Sequence, residues 1–533
     1  MKKINTAILK LAKRAETYDR QHLIDSFVDV GPLFTLLSNR DSQILFGRRG
    51  TGKTHVLAYL ASELIKNGQV AIQIDMRTIG STGGIFSDTN LSVSERATRL
   101  LVDTLNCIHD QVASTILEHP EEYDLSIFGP LLDAFVDAAT EVTVQGTVII
   151  EESSDIRTRQ TASGSIHMDA SQDGLGIHMG ASNENAKEIA GRRGSTREGE
   201  ERLRVHFGAV GTKLQRVVNA LPGRRLWLIL DEWSEIPLDL QPFLADLLRR
   251  TVLPISGVSV KIAAIEQRCR FRIPDSDLSY IGIEIGADAA ASVNLDEFLV
   301  FDNNKDLAKE FFQELLFKHL KALEGDDGDS FIPATSSRAI NEIFTQRNAF
   351  EEFVRCAEGV PRDAINILGV AAQKAGDEQI SVPDIRVSGR VWYTRAKQNA
   401  VSSKPGAQDL LSWIIDRVIS HRSAKAFLLP ANTQDELIDF LYDSRVLHLI
   451  KQGVSAQDVP GIRFNVYALD YGCYIDLINT VRAPKGLFQV DDEDGAEYID
   501  VPLTDFRSIR RSILDLDEFH SENSARVRRS SSQ

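Results

Sequence analysis

The chain has 533 residues, of which 43% are hydrophobic and 26% are charged. This length exceeds what one hydrophobic core normally holds, so we expect two or three domains of an ordinary globular protein. No apolar run approaches the ~18 residues that cross a bilayer, which argues against a membrane protein. The formal net charge of −16 opposes nucleic-acid binding by the chain as a whole, so any DNA contact would need a local basic face.

The N-terminal segment starts basic but has no sustained apolar stretch and no small-residue cleavage site, so we expect no secretory signal. The cysteines lie far apart in the sequence, without the paired spacing of a zinc site or a disulfide framework. This usage indicates a reducing compartment, and we expect a cytoplasmic protein. The four cysteines are Cys107, Cys269, Cys356 and Cys473.

A glycine-rich segment lies between a predicted strand and a predicted helix. The apolar run 44–46 is typical of a buried strand, and residues 47–54 read GRRGTGKT, a full G-x-x-x-x-G-K-[ST] pattern. Apolar residues then recur at helical spacing until Asn67 and Gly68, which predict the end of the helix. In such a loop the backbone N–H groups surround phosphate oxygens, and the N-terminus of the helix adds a favourable dipole.

The segment therefore predicts a site for ATP with Mg²⁺. Lys53 would reach the β- and γ-phosphates, and the hydroxyl of Thr54 would ligate the magnesium ion. The predicted nucleotide-binding residues are Gly47, Arg48, Arg49, Gly50, Thr51, Gly52, Lys53, Thr54 and His55.

A second apolar run, residues 226–230, ends in Asp231 and Glu232. A parallel strand buried on both faces has this pattern, and its carboxyl end opens towards the ligand crevice of an α/β sheet. We expect Asp231 to support the magnesium ion and Glu232 to activate the attacking water. A buried strand followed by an ordinary acidic turn is the alternative, and the glycine-rich loop favours the catalytic interpretation.

A third strand is predicted at residues 260–265, and the two polar residues after it, Glu266 and Gln267, are candidates for aligning the attacking water. Three arginines follow, one of which could serve a neighbouring subunit as an arginine finger. Surface ion pairs are the alternative role for this basic loop. The arginines are Arg268, Arg270 and Arg272.

The motifs at 47–54 and 226–232 resemble those of AAA+ ATPases, and a third motif resembles the initiator-like branch related to origin-recognition proteins. Residues 359–366 read GVPRDAIN, similar to the sensor-2 signature of that branch. The resemblance implies that Arg362 reaches the γ-phosphate from a helical lid. A helix that begins at Pro361 and exposes its arginine is the alternative.

This resemblance implies ATP hydrolysis, with Lys53, Glu232 and Arg362 as catalytic residues, and assembly into a homo-oligomer on ATP binding. The expected fold is α/β, with a P-loop (AAA+) core, a helical lid and a winged-helix-like domain. The expected segments are an N-terminal helical segment (1–24), the core (25–302), the lid (303–399), the winged-helix-like domain (405–480) and a C-terminal extension (481–533) with a flexible tail from Ser521.

The chain departs from the family pattern because 178 residues separate Lys53 from Asp231, about twice the usual distance. The surplus is expected as an insertion near 140–200. Within it, residues 166–168 and 177–179 both read Ile-His-Met, which favours facing strands of a hairpin arm. A soft-metal site and disorder are the alternatives, and the arm would touch a neighbouring subunit or a partner.

The pattern of residues 407–469 resembles a winged-helix domain: a helix, a strand at 426–429, a helix at 433–443, and strands at 446–450 and 462–469. The helix before the wing would carry four carboxylates towards DNA phosphates, which lowers affinity. Protein docking is therefore at least as well supported as DNA binding. The carboxylates belong to Asp435, Glu436, Asp439 and Asp443.

Three classes of function follow from these observations. The first is an ATP-driven assembly switch or remodeller in DNA transactions, and the second is a signalling ATPase of bacterial antiviral defence that docks a partner protein. The third is a nucleotide-gated adaptor that does not hydrolyse ATP. The adjacent carboxylates of Asp231 and Glu232 argue against the third class, and the net charge counts against DNA as the partner.

Overall fold

The computed structural model of the chain describes most of its residues. None of the helices in the described part is long and apolar enough to cross a bilayer. The described stretches are residues 1–11, 20–29, 31–80, 91–140, 142–145, 148–149, 163–171, 174–182, 196–197, 200–203, 205–274, 280–296, 304–323, 332–419, 426–455, 461–478 and 512–530.

Helices and strands are interspersed along the part of the chain that the structure describes. The helices are α1 (Lys3–Lys10), α2 (Arg20–Asp25), α3 (Leu33–Leu37), α4 (Lys53–Lys66), α5 (Val93–Glu118), α6 (Leu125–Ala139), α7 (Phe207–Ala220), α8 (Gln241–Leu247), α9 (Lys305–Lys321), α10 (Ser336–Ile343), α11 (Arg347–Ala357), α12 (Pro361–Ala375), α13 (Val382–Trp392), α14 (Asn399–Ser403), α15 (Ala407–Trp413), α16 (Glu436–Asp443), α17 (Tyr471–Ile478) and α18 (Leu516–Ser530). The strands are β1 (Gln43–Phe46), β2 (Val70–Asp75), β3 (Val142–Gln145), β4 (Val148–Ile149), β5 (Ser163–Ser171), β6 (Gly174–Ser182), β7 (Thr196–Arg197), β8 (Glu200–Leu203), β9 (Leu226–Asp231), β10 (Val258–Ala264), β11 (Arg272–Pro274), β12 (Tyr280–Gly282), β13 (Ala290–Asn294), β14 (Ala426–Pro430), β15 (Leu447–Ser455) and β16 (Arg463–Leu469).

The chain divides into two compact units. The sheet unit consists of Asn39–Leu45 and Leu60–Val293, and the loop unit consists of Met1–Ser38, Phe46–Tyr59 and Asn294–Gln533. The chain passes from one unit to the other within β1 and again within α4. The glycine-rich segment at 47–54 therefore belongs to the loop unit.

The sheet unit is built on a five-stranded sheet with the strand order β13-β1-β10-β9-β2. Strand β9 lies between β10 and β2 and pairs with both in parallel. Every residue of β9 and β10 is buried, which is why their sequences are continuously apolar, as expected for strands covered on both faces. The strands predicted at 44–46, 226–230 and 260–265 are confirmed, and so is the α/β fold class.

The predicted insertion contains paired strands. Strands β5 and β6 are antiparallel, with His167 opposite His178 and Ile166 opposite Met179. This confirms the expected hairpin from the repeated Ile-His-Met triplets. The side chains of both strands lie outside the described part of the chain, and the soft-metal hypothesis for them stays a prediction.

The loop unit contains a bundle of helices after the sheet. Helix α9 buries Phe311, Phe312, Leu315 and Leu316 at helical spacing, which confirms the helix predicted from this apolar pattern. Helix α12 begins at Pro361, where the fixed φ of proline suits the first helical position.

A smaller module, which we call the C-terminal module, comprises residues 407–478 and 512–519 of the loop unit. Its antiparallel sheet has the order β14-β16-β15, and α15 and α16 pack on it around buried apolar side chains such as Phe427, Leu441 and Leu447. The strands predicted at 426–429, 446–450 and 462–469 are confirmed. The comparison of this module with a winged helix stays a prediction.

The end of the chain differs from expectation, because α18 extends to Ser530 where a flexible tail was expected from Ser521. Asp517 and Glu518 lie in its first turn, where carboxylates favour a helix N-terminus. Phe519 is buried in the core of the C-terminal module and holds this helix in place.

Candidate functional site

The glycine-rich segment forms a tight loop between β1 and α4. Gly50 and Gly52 have φ of 87° and 96°, in the left-handed region that only glycine enters without strain. The loop leads directly into α4, which begins at Lys53, with Thr54 and His55 in its first turn. The first N–H groups of a helix have no partner within the helix, so they are available to an anion held by the loop.

The ammonium group of Lys53 lies over the backbone of this loop. It donates hydrogen bonds to the carbonyl oxygens of Gly47 and Arg48, at 2.8 and 3.1 Å. The hydroxyl of Thr51 donates to the same Arg48 oxygen at 2.9 Å. Lys53 is nearly buried, so the loop and its lysine form one compact cradle that contains the positive charge of Lys53.

The N-terminus of α12 closes on the loop. The backbone N–H of Arg362 donates to the carbonyl oxygen of Gly50 at 3.2 Å. A Cβ atom placed on Gly50 would lie 2.8 Å from the Cβ of Arg362, so the arginine stem crosses directly over this glycine. The structure therefore brings together two of the three motifs that carried the family resemblance, the loop at 47–54 and the segment at 359–366.

Arg48 is held by protein groups on several sides. Its Nε lies 2.8 Å from Asp296 Oδ1, its backbone N–H donates to Asp296 Oδ2 at 3.1 Å, and its Nη2 donates to the Glu358 carbonyl oxygen at 3.0 Å. Burial lowers the pKa of Arg48, but Asp296, Tyr442 and Glu358 together raise it by more, so the pKa is raised overall and the guanidinium stays charged. Sequence analysis missed Asp296, which follows β13 but belongs to no motif.

The side chain of His55 packs against other residues of the protein. Its Nε2–H donates to the carbonyl oxygen of Leu23 at 2.6 Å, and its ring packs edge-on against Phe27 and His319, with ring centroids 5.7 and 5.9 Å away. Burial lowers the pKa of His55, which keeps the imidazole neutral. Its predicted contact with nucleotide stays a prediction.

Asp231 and Glu232 belong to the sheet unit, at the carboxyl end of β9. The carboxylate of Asp231 is buried and accepts a hydrogen bond from the Glu232 N–H at 2.8 Å. Glu232 has φ 55° and ψ 37°, a left-handed conformation that is unusual for a residue other than glycine. Such strained positions concentrate at functional sites, which supports a chemical role for this pair.

The predicted sensor residues form a short 3₁₀ turn, Glu266–Arg268, directly after β10. The side-chain oxygen of Gln267 is buried and accepts no hydrogen bond from the described residues. Gln241 fixes the next residues, since its Nε2 donates to the Arg268 oxygen at 3.1 Å and its Oε1 accepts from the Arg270 N–H at 2.7 Å. The buried amide makes Gln267 the better of the two sensor candidates.

The three candidate finger arginines differ in their surroundings. Arg268 lies 4.0 Å from a carboxylate oxygen of Glu235, and Arg272 forms a 2.6 Å ion pair with Glu284. Arg270 is exposed and forms no ion pair with any residue that the structure describes. Of the three, Arg270 therefore has the guanidinium that is most available to another subunit.

Comparison with known proteins supports the class of site. Residues 11–86 match the family model described as ORC-CDC6-like, a segment that includes β1, the loop, α4 and β2. The match confirms, over these residues, the resemblance to initiator-like AAA+ ATPases. Over this segment the chain is similar to the ORC-CDC6-like family, and the segment includes the whole of the glycine-rich loop.

The chain also has distant structural likenesses. The Aeropyrum pernix ORC1 protein in complex with DNA is 12% identical with a TM-score of 0.30, covering 89% of this chain and 96% of that one. Drosophila ORC bound to DNA is 10% identical (TM-score 0.30; 88% and 94% covered), and Thermotoga maritima RuvB T158V is 11% identical (TM-score 0.30; 89% and 99% covered). No curated protein is significantly similar in sequence.

Proposed function

We propose that this protein binds Mg-ATP on residues 47–54 and hydrolyses it to ADP and phosphate. The observation that carries the proposal is the loop itself: two glycines in left-handed conformations, a central lysine and the start of α4 form a cradle for phosphate. Backbone N–H groups in this arrangement bind anions, and Lys53 supplies the matching positive charge.

Each predicted residue then has a chemical task. Lys53 and Thr54 hold the phosphates and the magnesium ion, and Asp231 supports the ion's ligand shell. Glu232 accepts a proton from the attacking water, whose oxygen forms the new bond to the γ-phosphorus while the bond to the β-phosphate oxygen breaks. Arg362, whose stem crosses Gly50, balances the charge that develops on the γ-phosphate.

We further propose that ATP turnover drives an assembly switch or remodeller that forms a homo-oligomer when ATP binds. The C-terminal module is the part of the chain that would bind a partner in this role. Its helix α16 carries Asp435 as N-cap and Glu436 and Asp439 in its first turn, an acidic helix start that favours a basic protein segment over DNA phosphates. A signalling ATPase that docks a partner protein, as in antiviral defence, is therefore the second candidate.

Steady-state ATP turnover, measured with and without duplex DNA, tests the proposal. Glu232→Gln should still bind ATP but turn it over about 10²-fold or more slowly, the usual loss of a general base. Lys53→Ala should lose ATP binding itself.

Equal rates in the wild type and Glu232→Gln would show that the catalytic assignment is wrong. Strong stimulation of the wild type by DNA would favour a DNA-associated remodeller, whereas turnover that ignores DNA would favour the signalling role.

A further inference from the structure

The second residue of the phosphate loop is also bound by the C-terminal module. Besides its contacts with Asp296 and Glu358, the fully buried guanidinium of Arg48 donates through Nη1 to Nδ1 of His448, on β15. The hydroxyl of Tyr442 donates to Asp296 Oδ2 at 3.2 Å. The module therefore holds both Arg48 and the carboxylate that neutralises it.

The protonation state of His448 follows from its neighbours. Arginine only donates hydrogen bonds, so Nδ1 of His448 acts as the acceptor and the ring proton resides on Nε2. That Nε2 lies 3.2 Å from Asp470 Oδ2, which accepts the proton's hydrogen bond. A neutral imidazole thus connects Arg48 of the loop to Asp470 of the module.

A second chain of ion pairs returns from Asp470 to the loop. Lys397 lies 2.5 Å from Asp470 Oδ2 and 2.9 Å from Asp363 Oδ2. Arg445 of the module lies 3.5 Å from the same Asp363 carboxylate, and its Nη1 donates to the carbonyl oxygen of Arg49 at 3.5 Å. The network is therefore a closed ring that begins and ends on neighbouring residues of the phosphate loop.

The ring is balanced in charge and largely shielded from water. Separating any pair would leave a charge buried without its partner, which is far more costly than losing a surface ion pair. The loop and the module consequently move together or separate at a considerable cost. The cations are Arg48, Lys397 and Arg445, and the carboxylates are Asp296, Asp363 and Asp470.

Arg48 is held at two points, its carbonyl oxygen and its side chain. Lys53 donates to the Arg48 oxygen, while the Arg48 side chain is fixed by the module. A phosphate held by the loop would draw the Lys53 ammonium away from that carbonyl, and the Arg48 backbone would have to readjust. The contacts of Arg48 resist this readjustment, because Asp296 and His448 of the ring hold its backbone N–H, Nε and Nη1. The carbonyl oxygen of Glu358 holds its Nη2.

We propose that the C-terminal module is an internal brake on the nucleotide site, which acts through His448 and Tyr442 on Arg48. The inference rests on the proposed binding of ATP to the loop. Nucleotide binding loosens the docked module, and undocking of the module raises the affinity for nucleotide by the same factor, because coupling between two binding events is reciprocal. A partner that captures the module therefore activates the site.

Equilibrium binding of a fluorescent ATP analogue with Mg²⁺ to the full chain tests the brake. His448→Ala should bind about fivefold or more tightly than wild type, within the usual range of allosteric coupling. His448→Gln, whose amide can accept from Arg48 and donate to Asp470, should restore the wild-type affinity. Tyr442→Phe removes one hydroxyl from the same contact with little risk to folding and should bind more tightly by a smaller factor.

His520→Ala is the matched control, since it removes a hydrogen bond to Asp435 of the module and should leave the affinity unchanged. If His448 and Tyr442 only stabilise the loop, their variants should bind nucleotide more weakly than wild type, because a damaged loop loses affinity. Equal or weaker binding by both His448→Ala and Tyr442→Phe overturns the brake.

Hydrogen exchange of residues 440–469 provides a second readout. Exchange should rise on addition of Mg-ATP to the wild type and stay constant in Lys53→Ala. Unchanged exchange in a wild type that demonstrably binds ATP would refute the brake alone, whereas a folded wild type that binds no ATP would refute the proposed function itself.

Discussion

Glu232, the proposed catalytic base, has a strained backbone conformation. Its φ of 55° lies in the left-handed region, which costs a residue with a Cβ roughly 1 kcal/mol relative to glycine. The hydrogen bond from its N–H to Asp231 Oδ1 helps to hold this conformation. Any residue with a Cβ at this position therefore has a cost in stability, which a functional role of the Glu232 side chain would explain.

Substitution by two small residues separates the strain from the side chain. Glu232→Gly and Glu232→Ala both remove the carboxylate and should both lose turnover, but only glycine relieves the strain. We expect Glu232→Gly to be more stable than Glu232→Ala by about 1 kcal/mol in urea-induced unfolding. Equal midpoints for the two variants would show that the left-handed conformation stores no strain.

The prediction of residue roles from the sequence was uneven. The glycines of the loop and Lys53 were predictable, because a phosphate cradle requires these residue types at fixed spacing. The side-chain contacts of Arg48 were not, since its pattern position is variable and its partner Asp296 lies 248 residues away. The choice of Arg270 among three arginines likewise depends on which carboxylates the fold places beside the other two.

Helices α2, α4 and α9 meet around three histidines. His319 is almost fully buried, and its ring lies 5.9 Å from that of His55 and 6.3 Å from that of His22. Burial, and then the neighbouring His55 and His22, lower the pKa of His319 to about 3. The three helices therefore pack around a cluster of imidazoles in which burial favours the neutral form of His55 and His319.

This contact should make the protein sensitive to acid. The folded-state pKa of His319 lies below its ordinary value of 6.5, so the unfolded chain takes up a proton that the folded chain refuses. The stabilisation is complete above pH 6.5 and is lost as the pH falls from there towards about 3, at roughly 1.4 kcal/mol per pH unit.

Urea-induced unfolding measured between pH 7.5 and 5 checks this dependence. His319→Gln should flatten the fall in the free energy of unfolding over this range. His119→Gln, at an exposed histidine, is the control and should retain the wild-type dependence. An unchanged slope in His319→Gln would mean that other groups cause the acid sensitivity.

Elements with a strong local pattern were predicted well. Strands β9 and β10 and helix α4 have continuous or periodic apolar residues, which reflect burial on two faces or on one face. Helix α18 was missed because its sequence is polar, and its placement depends on Phe519 packing into a distant core. Elements of this kind form only when tertiary contacts compensate for a weak intrinsic preference.

At the scale of the whole molecule, the proposed assembly into an oligomer has a consequence for catalysis. If subunits share sites, the exposed Arg270 should act on the ATP of a neighbour. We expect Arg270→Ala to lower turnover about 10³-fold while leaving ATP binding intact, as for other arginine fingers. Arg272→Ala is the matched control, because that side chain already pairs with Glu284, and it should have little effect.

Mixing the variants shows whether the arginine acts between subunits. Lys53→Ala has no ATP of its own but retains Arg270, so adding it to Arg270→Ala should restore part of the turnover. If mixing fails to restore turnover, Arg270 acts within its own subunit. If Arg270→Ala alone turns over ATP at the wild-type rate, Arg270 has no role in catalysis.

The sequence by itself determined the phosphate loop, the strand and helix that flank it and the acidic pair after β9. These features depend on neighbouring residues, since glycine conformations, apolar periodicity and motif spacing are local properties. The tertiary structure alone decided that Arg48 contacts His448, 400 residues further along the chain, and that a ring of buried charges connects the loop to the C-terminal module. Packing brings such partners together, and no short-range pattern encodes which distant charge will neutralise a buried arginine.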